Sequence, residues 1–273
     1  MTAKAKSPLA LWHLLSLDAP TVAVLWTWFI ARVNHVPLRL PSLFAMAAAV
    51  WTLYAADRLL DAQSSKIGML EARHHFHQEH RSAFMVGIGC ASILLAVLLP
   101  RIPEQAIRLY LILGGLVFGY FVIIHATHSA HRLPKEIAVG ICFAAATFIP
   151  TVARVPSLRQ MLLPPALLLA ALCSLNCLFI YVWEHTFPAG QTPHPITAIA
   201  LRHLTQLTLT VIVISAALIG FHHQAPWPLY GSTLASAAIL LVLHRQRNRL
   251  PATELRAAAD LALLTPLLMV PFL

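Results

Sequence analysis

Asp57 and Asp61 stand four residues apart where a long apolar run turns polar. On a helix, that spacing puts two carboxylates one above the other on one face. Oxygens so placed suit magnesium, which binds through one or two carboxylates, keeps waters and completes its shell with substrate phosphates. Ionisable groups at the edge of an apolar span are costly and mark a candidate site. The plainer reading is two solvated carboxylates at a helix end, with Arg58 as their ion-pair neighbour.

Two further features have the same character. Asn176 and Glu184 are eight residues apart, a little over two helical turns, and share a face at the end of another apolar run. An Asn inside a span needs a partner whatever its role. Lys135 follows Leu133-Pro134 and precedes Glu136 at the start of a third run. A lysine beside free N–H groups at a helix start can hold a phosphate; it can equally be a cytoplasmic lysine reaching the membrane interface.

Histidines form the competing constellation. His74, His75, His77 and His80 crowd one polar segment, His125, His128 and His131 the next, and His185, His194 and His203 a third. Imidazole clusters at one membrane face would suit the iron of a di-iron oxygenase or desaturase. No His-x-x-His-His run is present. The plainer reading is polar loops meeting lipid headgroups.

The elements that must position these groups follow from composition. The chain has 273 residues, 59% hydrophobic and only 11% charged, with mean hydropathy +0.74. A soluble domain carries about 25% charged residues, so a single all-α bundle of membrane helices over residues 1–273 is expected. Nine spans are expected, at about 14–31, 41–60, 82–100, 105–124, 136–153, 161–183, 204–221, 228–244 and 256–272. Pro164-Pro165 is read as opening the sixth and Pro266 as bending the last. Asp18 is read as capping the first. All four cysteines lie in apolar runs, as small hydrophobes.

Counting Lys and Arg by loop leaves Arg32, Arg39, Arg101, Arg108, Arg154 and Arg159 on one side and the other thirteen opposite. The bias predicts a cytoplasmic N-terminus, with the long polar segments 61–81, 125–135 and 184–203 on the cytoplasmic face, consistent with a bacterial inner membrane. The net charge of +9 is then a property of cytoplasmic loops, not of nucleic-acid binding.

In order and spacing, these features resemble the UbiA superfamily of intramembrane prenyltransferases. The family's first motif reads Asn-Asp-x-x-Asp-x-x-x-Asp. Here Tyr54-Ala-Ala-Asp57-Arg58-Leu-Leu-Asp61 matches its last part, while Leu53 and Tyr54 occupy the places of its Asn and first Asp. The second often reads Asn-x-x-x-Asp-x-x-x-Asp. Asn176 fits its first place and Glu184 its last, with Ile180 in the middle. Lys135-Glu136 is similar to the family's stretch entering span five.

The resemblance implies a nine-helix bundle with Asp57, Asp61 and Glu184 holding magnesium. It implies Lys135, Arg73 and Asn176 on an isoprenoid diphosphate, with Arg58 and Tyr54 beside them. The reaction would be transfer to a lipophilic acceptor or internal cyclisation, among membrane lipid at the cytoplasmic face. The absent aspartates remove ligands for a second metal. A third class, a transporter or lipid-binding protein on this scaffold, would use the carboxylates for proton coupling; the paired repeats typical of transporters are not evident.

Overall fold

The computed structural model describes residues 8–64, 72–126, 134–184, 194–221 and 226–273. Every regular element among them is helical. The longer helices are α1 (Pro8–Leu14), α2 (Asp18–Val33), α3 (Leu40–Ser64), α4 (Ala72–Glu79), α5 (Arg81–Leu98), α6 (Glu104–Ala126) and α7 (Lys135–Arg154). They are followed by α8 (Arg159–Glu184), α9 (Pro195–Arg202), α10 (Leu204–Phe221), α11 (Trp227–Gln246), α12 (Ala252–Leu261) and the short α13 (Pro266–Met269). Among the described residues, seven helical segments are long and apolar enough to cross a membrane, or eight if a bent pair counts as one span. Leu111, Ile112, Leu116 and Phe118 of α6 and Val86, Ile93 and Val97 of α5 are exposed. Leu, Ile, Val and Phe outside a bundle are what lipid contact requires. The chain is an integral membrane protein whose described residues form helices and no strands.

The bent pair is the first departure from the expected spans. Residues 14–31 do not form one helix: α1 and α2 meet at 89°. Ser16 takes a left-handed φ of 58°. The Ser16 N–H donates to His13 O and the Leu17 N–H to Trp12 O, both at 3.1 Å. This is a Schellman ending, normally built on glycine. The same ending closes α2 at His35, φ 54°, with His35 N–H to Arg32 O and Val36 N–H to Ala31 O. Neither site carries the glycine that would have signalled it.

Contacts divide the chain into two compact units, residues 1–25 with 39–102, and residues 26–38 with 103–273. In the first, α3 packs on α4 and α5. Ala55, Leu59 and Phe84 form its core, with Trp51, Phe76 and Ile88 against them. The His-rich segment expected as a loop contributes α4 to this core. His77 is fully buried, and its ring stacks on Phe84 with centroids 4.4 Å apart.

In the second unit, α8 is the hub, packed against α7, α10, α11 and α12. Gly140 of α7 lets α8 approach closely: a Cβ there would lie 2.8 Å from Ser174 Cα and closer still to its N and Oγ. Pro164 and Pro165 fall inside α8 rather than at its start. The last expected span is interrupted by a 3-10 turn at Ala262–Leu264 before α13. Side chains satisfy the interrupted backbone. Trp26 Nε1 donates to Leu263 O at 2.8 Å, and Thr265 Oγ1 donates to Ser232 O at 2.8 Å. In lipid such freed groups must find protein partners.

Candidate functional site

The candidate residues fall in both units, and each set has its own geometry. In the first unit they lie on the last turns of α3. One stripe of that helix, Trp51, Ala55 and Leu59, faces the core. The neighbouring stripe runs from Leu53, 68% exposed, to Asp57, which is half-buried. Asp61 follows one turn later on the same helix, but its side chain lies outside the described residues, as does that of Arg73 on α4.

Arg58 points a third way, into the protein, and is buried. Its Nη1 donates to His13 O at 2.6 Å, and its Nη2 donates to Asp18 Oδ2 at 3.2 Å. Tyr54, one turn earlier, lays its ring against the guanidinium, 4.7 Å from Cζ to centroid. Asp18 does more than cap. Its Oδ1 accepts from the Ala19 N–H at 3.0 Å, while its Oδ2 takes both Arg58 and the His13 Nδ1–H, the latter at 2.5 Å. Ser16 Oγ and His77 Nε2, 3.2 Å apart, extend the buried network to α4. An arginine and a histidine around one carboxylate tie α1, α2 and α3 together at the helix break. Sequence reading missed His13 and Ser16, because nothing in their spacing marks the break.

In the second unit, Glu184 ends α8 and receives Arg256 of α12. Nη1 lies 2.6 Å from both carboxylate oxygens, and both side chains are largely buried. Arg256 Nε has no hydrogen-bond partner among the described residues. Beside the pair, Trp183 Nε1 donates to His244 Nδ1 at 3.1 Å, and Phe179 stacks on Trp183. Two turns deeper, Asn176 Nδ2 donates to Asp260 Oδ1 at 3.0 Å. Both residues are buried. Asp260 and Arg256 both come from the last span, 84 and 72 residues beyond their partners on α8, so no local pattern marks them.

Lys135 is the first residue of α7 and is exposed. Its neighbour Glu136 accepts from Thr197 Oγ1 at 3.2 Å, which holds α9 to α7. The histidines that are described serve different local ends. His77 is in a core, His80 stacks on Phe76 at 4.3 Å, and His194 Nδ1 caps α9 through the Ile196 N–H. Among the described residues of either unit, no three histidines converge on one point. His74, His75, His125, His128, His131 and His185 fall where no side chain is described.

No protein-family model, curated protein or solved structure matches the chain.

Proposed function

We propose that the chain is a magnesium-dependent membrane prenyltransferase-like enzyme, a nine-span bundle that takes an isoprenoid diphosphate at the cytoplasmic face and transfers or cyclises its prenyl group. One observation carries the reading: Asp57 is half-buried at the polar end of a membrane-length helix, one turn before a second carboxylate. An ionisable group at the edge of a membrane span is a functional-site candidate by default.

The donors available fit magnesium. In the first unit Asp57 and Asp61 offer carboxylate oxygens; in the second, by itself, Glu184 and Asn176 offer oxygen, and Asn176 Oδ1 is buried with no hydrogen-bond partner among the described residues. Magnesium held by Asp57 and Asp61 would supply positive charge against the diphosphate leaving group.

The chain's own cations do the remaining work. Lys135 stands beside the first free N–H groups of α7, where helix dipole and ammonium both favour an anion. Arg256 is fixed by Glu184, and its guanidinium is a rigid fork whose remaining donors match phosphate oxygens. Arg58 and Tyr54 hold the end of α3 in place from within, so that the Asp57 stripe keeps its orientation.

The test is diphosphate release by purified protein in detergent, with a panel of isoprenoid diphosphates, with and without magnesium. Magnesium-dependent release from at least one member supports the reading. Absence of release across the panel, together with stoichiometric bound iron, would replace it with the histidine-based oxygenase.

A further inference from the structure

We propose that a cavity in the second unit, at the end of α8 remote from Glu184, is a binding site for the headgroup of an anionic phospholipid. The inference goes beyond the function proposed above and does not rest on it. The cavity has a volume of about 360 Å³, within the range of small-molecule sites. The end of α2, the start of α8 and the start of α11 supply most of its wall, and every lining residue belongs to the second unit. Met161, in the first turn of α8, is one of them. At about 1.5 Å per residue, Met161 and Glu184 are about 35 Å apart along that helix. The helix is long and apolar enough to cross a membrane, so the cavity and Glu184 lie toward opposite faces of the bilayer.

The wall suits a phosphate that carries acyl chains. Arg32 and His35 line the cavity, and no Asp or Glu does. Both side chains are exposed, and neither makes a hydrogen bond, ion pair or ring contact among the described residues. A guanidinium is a planar fork that matches phosphate oxygens two at a time, and an imidazole in either tautomer keeps one N–H to donate. Helices α8 and α11 begin at the cavity and α2 ends there, so two positive dipole ends stand against one negative end. The rest of the lining is largely apolar. Met161, Trp227 and Phe272 are exposed, and the Trp227 and Phe272 rings meet edge to face with centroids 5.5 Å apart. Inorganic phosphate would leave these side chains in water, whereas a lipid would cover them. Trp227 starts a membrane-length helix, the depth at which tryptophan meets headgroups, and basic pockets between such helices take lipid headgroups.

The experiment uses the full chain, delipidated in detergent, with native mass spectrometry as the direct readout of bound lipid. Phosphatidylglycerol, phosphatidylcholine and inorganic phosphate are the probes, on wild type, Arg32→Gln, Met161→Trp and Arg39→Gln. Arg39 is an exposed arginine outside the cavity wall and controls for general attraction of anions. Wild type is expected to hold one phosphatidylglycerol in preference to phosphatidylcholine. Arg32→Gln is expected to melt as wild type without lipid and to lose about tenfold in phosphatidylglycerol affinity, the scale of one charged hydrogen bond. Met161→Trp, which fills the cavity and keeps the charge, is expected to lose binding as well, and Arg39→Gln to retain it. Phosphatidylglycerol affinity that is unchanged in both Arg32→Gln and Met161→Trp overturns the inference. Equal affinity for the two lipids, or displacement of phosphatidylglycerol by equimolar inorganic phosphate, also overturns it. None of these readouts uses diphosphate release, so the prenyl-transfer reading stands or falls separately.

Discussion

Arg58 and Asp18 are 40 residues apart in the chain, and their side chains meet at 3.2 Å in the buried interior of the first unit. Arg58 also holds the His13 carbonyl, and His13 holds the same Asp18 oxygen. The arginine next to the candidate metal-binding carboxylate is therefore the tie that secures the break between α1 and α2. A network of this kind is most sensitive to losing one member, because a buried charge is then left behind.

Replacing Arg58 with Ala should accordingly destabilise the protein by about 3–5 kcal/mol, as removal of one partner of a buried pair does. Arg58→Lys should recover only part of the loss, since an ammonium cannot hold the carbonyl and the carboxylate with a planar fork. Thermal melting in detergent measures both. Equal melting of Arg58→Ala and wild type would show that the network contributes nothing to folding.

Asp57→Ala should behave in the opposite way. The residue is half-buried on a stripe away from the α3 core, so melting should stay near that of wild type. Diphosphate release should fall by about a hundredfold or more, the scale on which loss of one electrostatic contact to a developing charge is felt. Full release in a well-folded Asp57→Ala would sink the proposed chemistry.

Glu184 and Arg256 should be energetically coupled. Glu184→Gln and Arg256→Gln should each be destabilising, and the double variant less so than their sum, by about 0.5–3 kcal/mol. The same cycle read in diphosphate release separates structure from chemistry. If Arg256 contacts diphosphate, Arg256→Lys should raise the KM for the isoprenoid diphosphate while leaving melting close to wild type.

Gly140→Ala tests the closest helix contact. The added methyl would meet the Ser174 backbone of α8, and a backbone cannot rotate aside as a side chain can. Overpacking of this kind costs about 1–3 kcal/mol. Gly89→Ala, where a methyl meets nothing within 4 Å, is the matched control and should be neutral or slightly stabilising through helix propensity.

The sequence by itself determined the class, the approximate helices and the α3 stripe. Low charge and apolar runs near twenty residues can be satisfied only by membrane helices, because lipid offers the backbone no hydrogen bonds. The four-residue spacing of Asp57 and Asp61 is a local property of a helix and needs no fold to be read. What the tertiary structure decided lies in contacts between distant positions. Ser16 ends α1 in a left-handed conformation without a glycine to announce it. His77, one of a run of histidines that reads as a polar loop, is buried against Phe84. Asp260 and Arg256 come from the last span to meet Asn176 and Glu184 on α8. Periodicity reports which face of a helix is apolar, but the partner that a buried polar group requires is chosen by packing between helices, and that choice leaves no mark in local spacing.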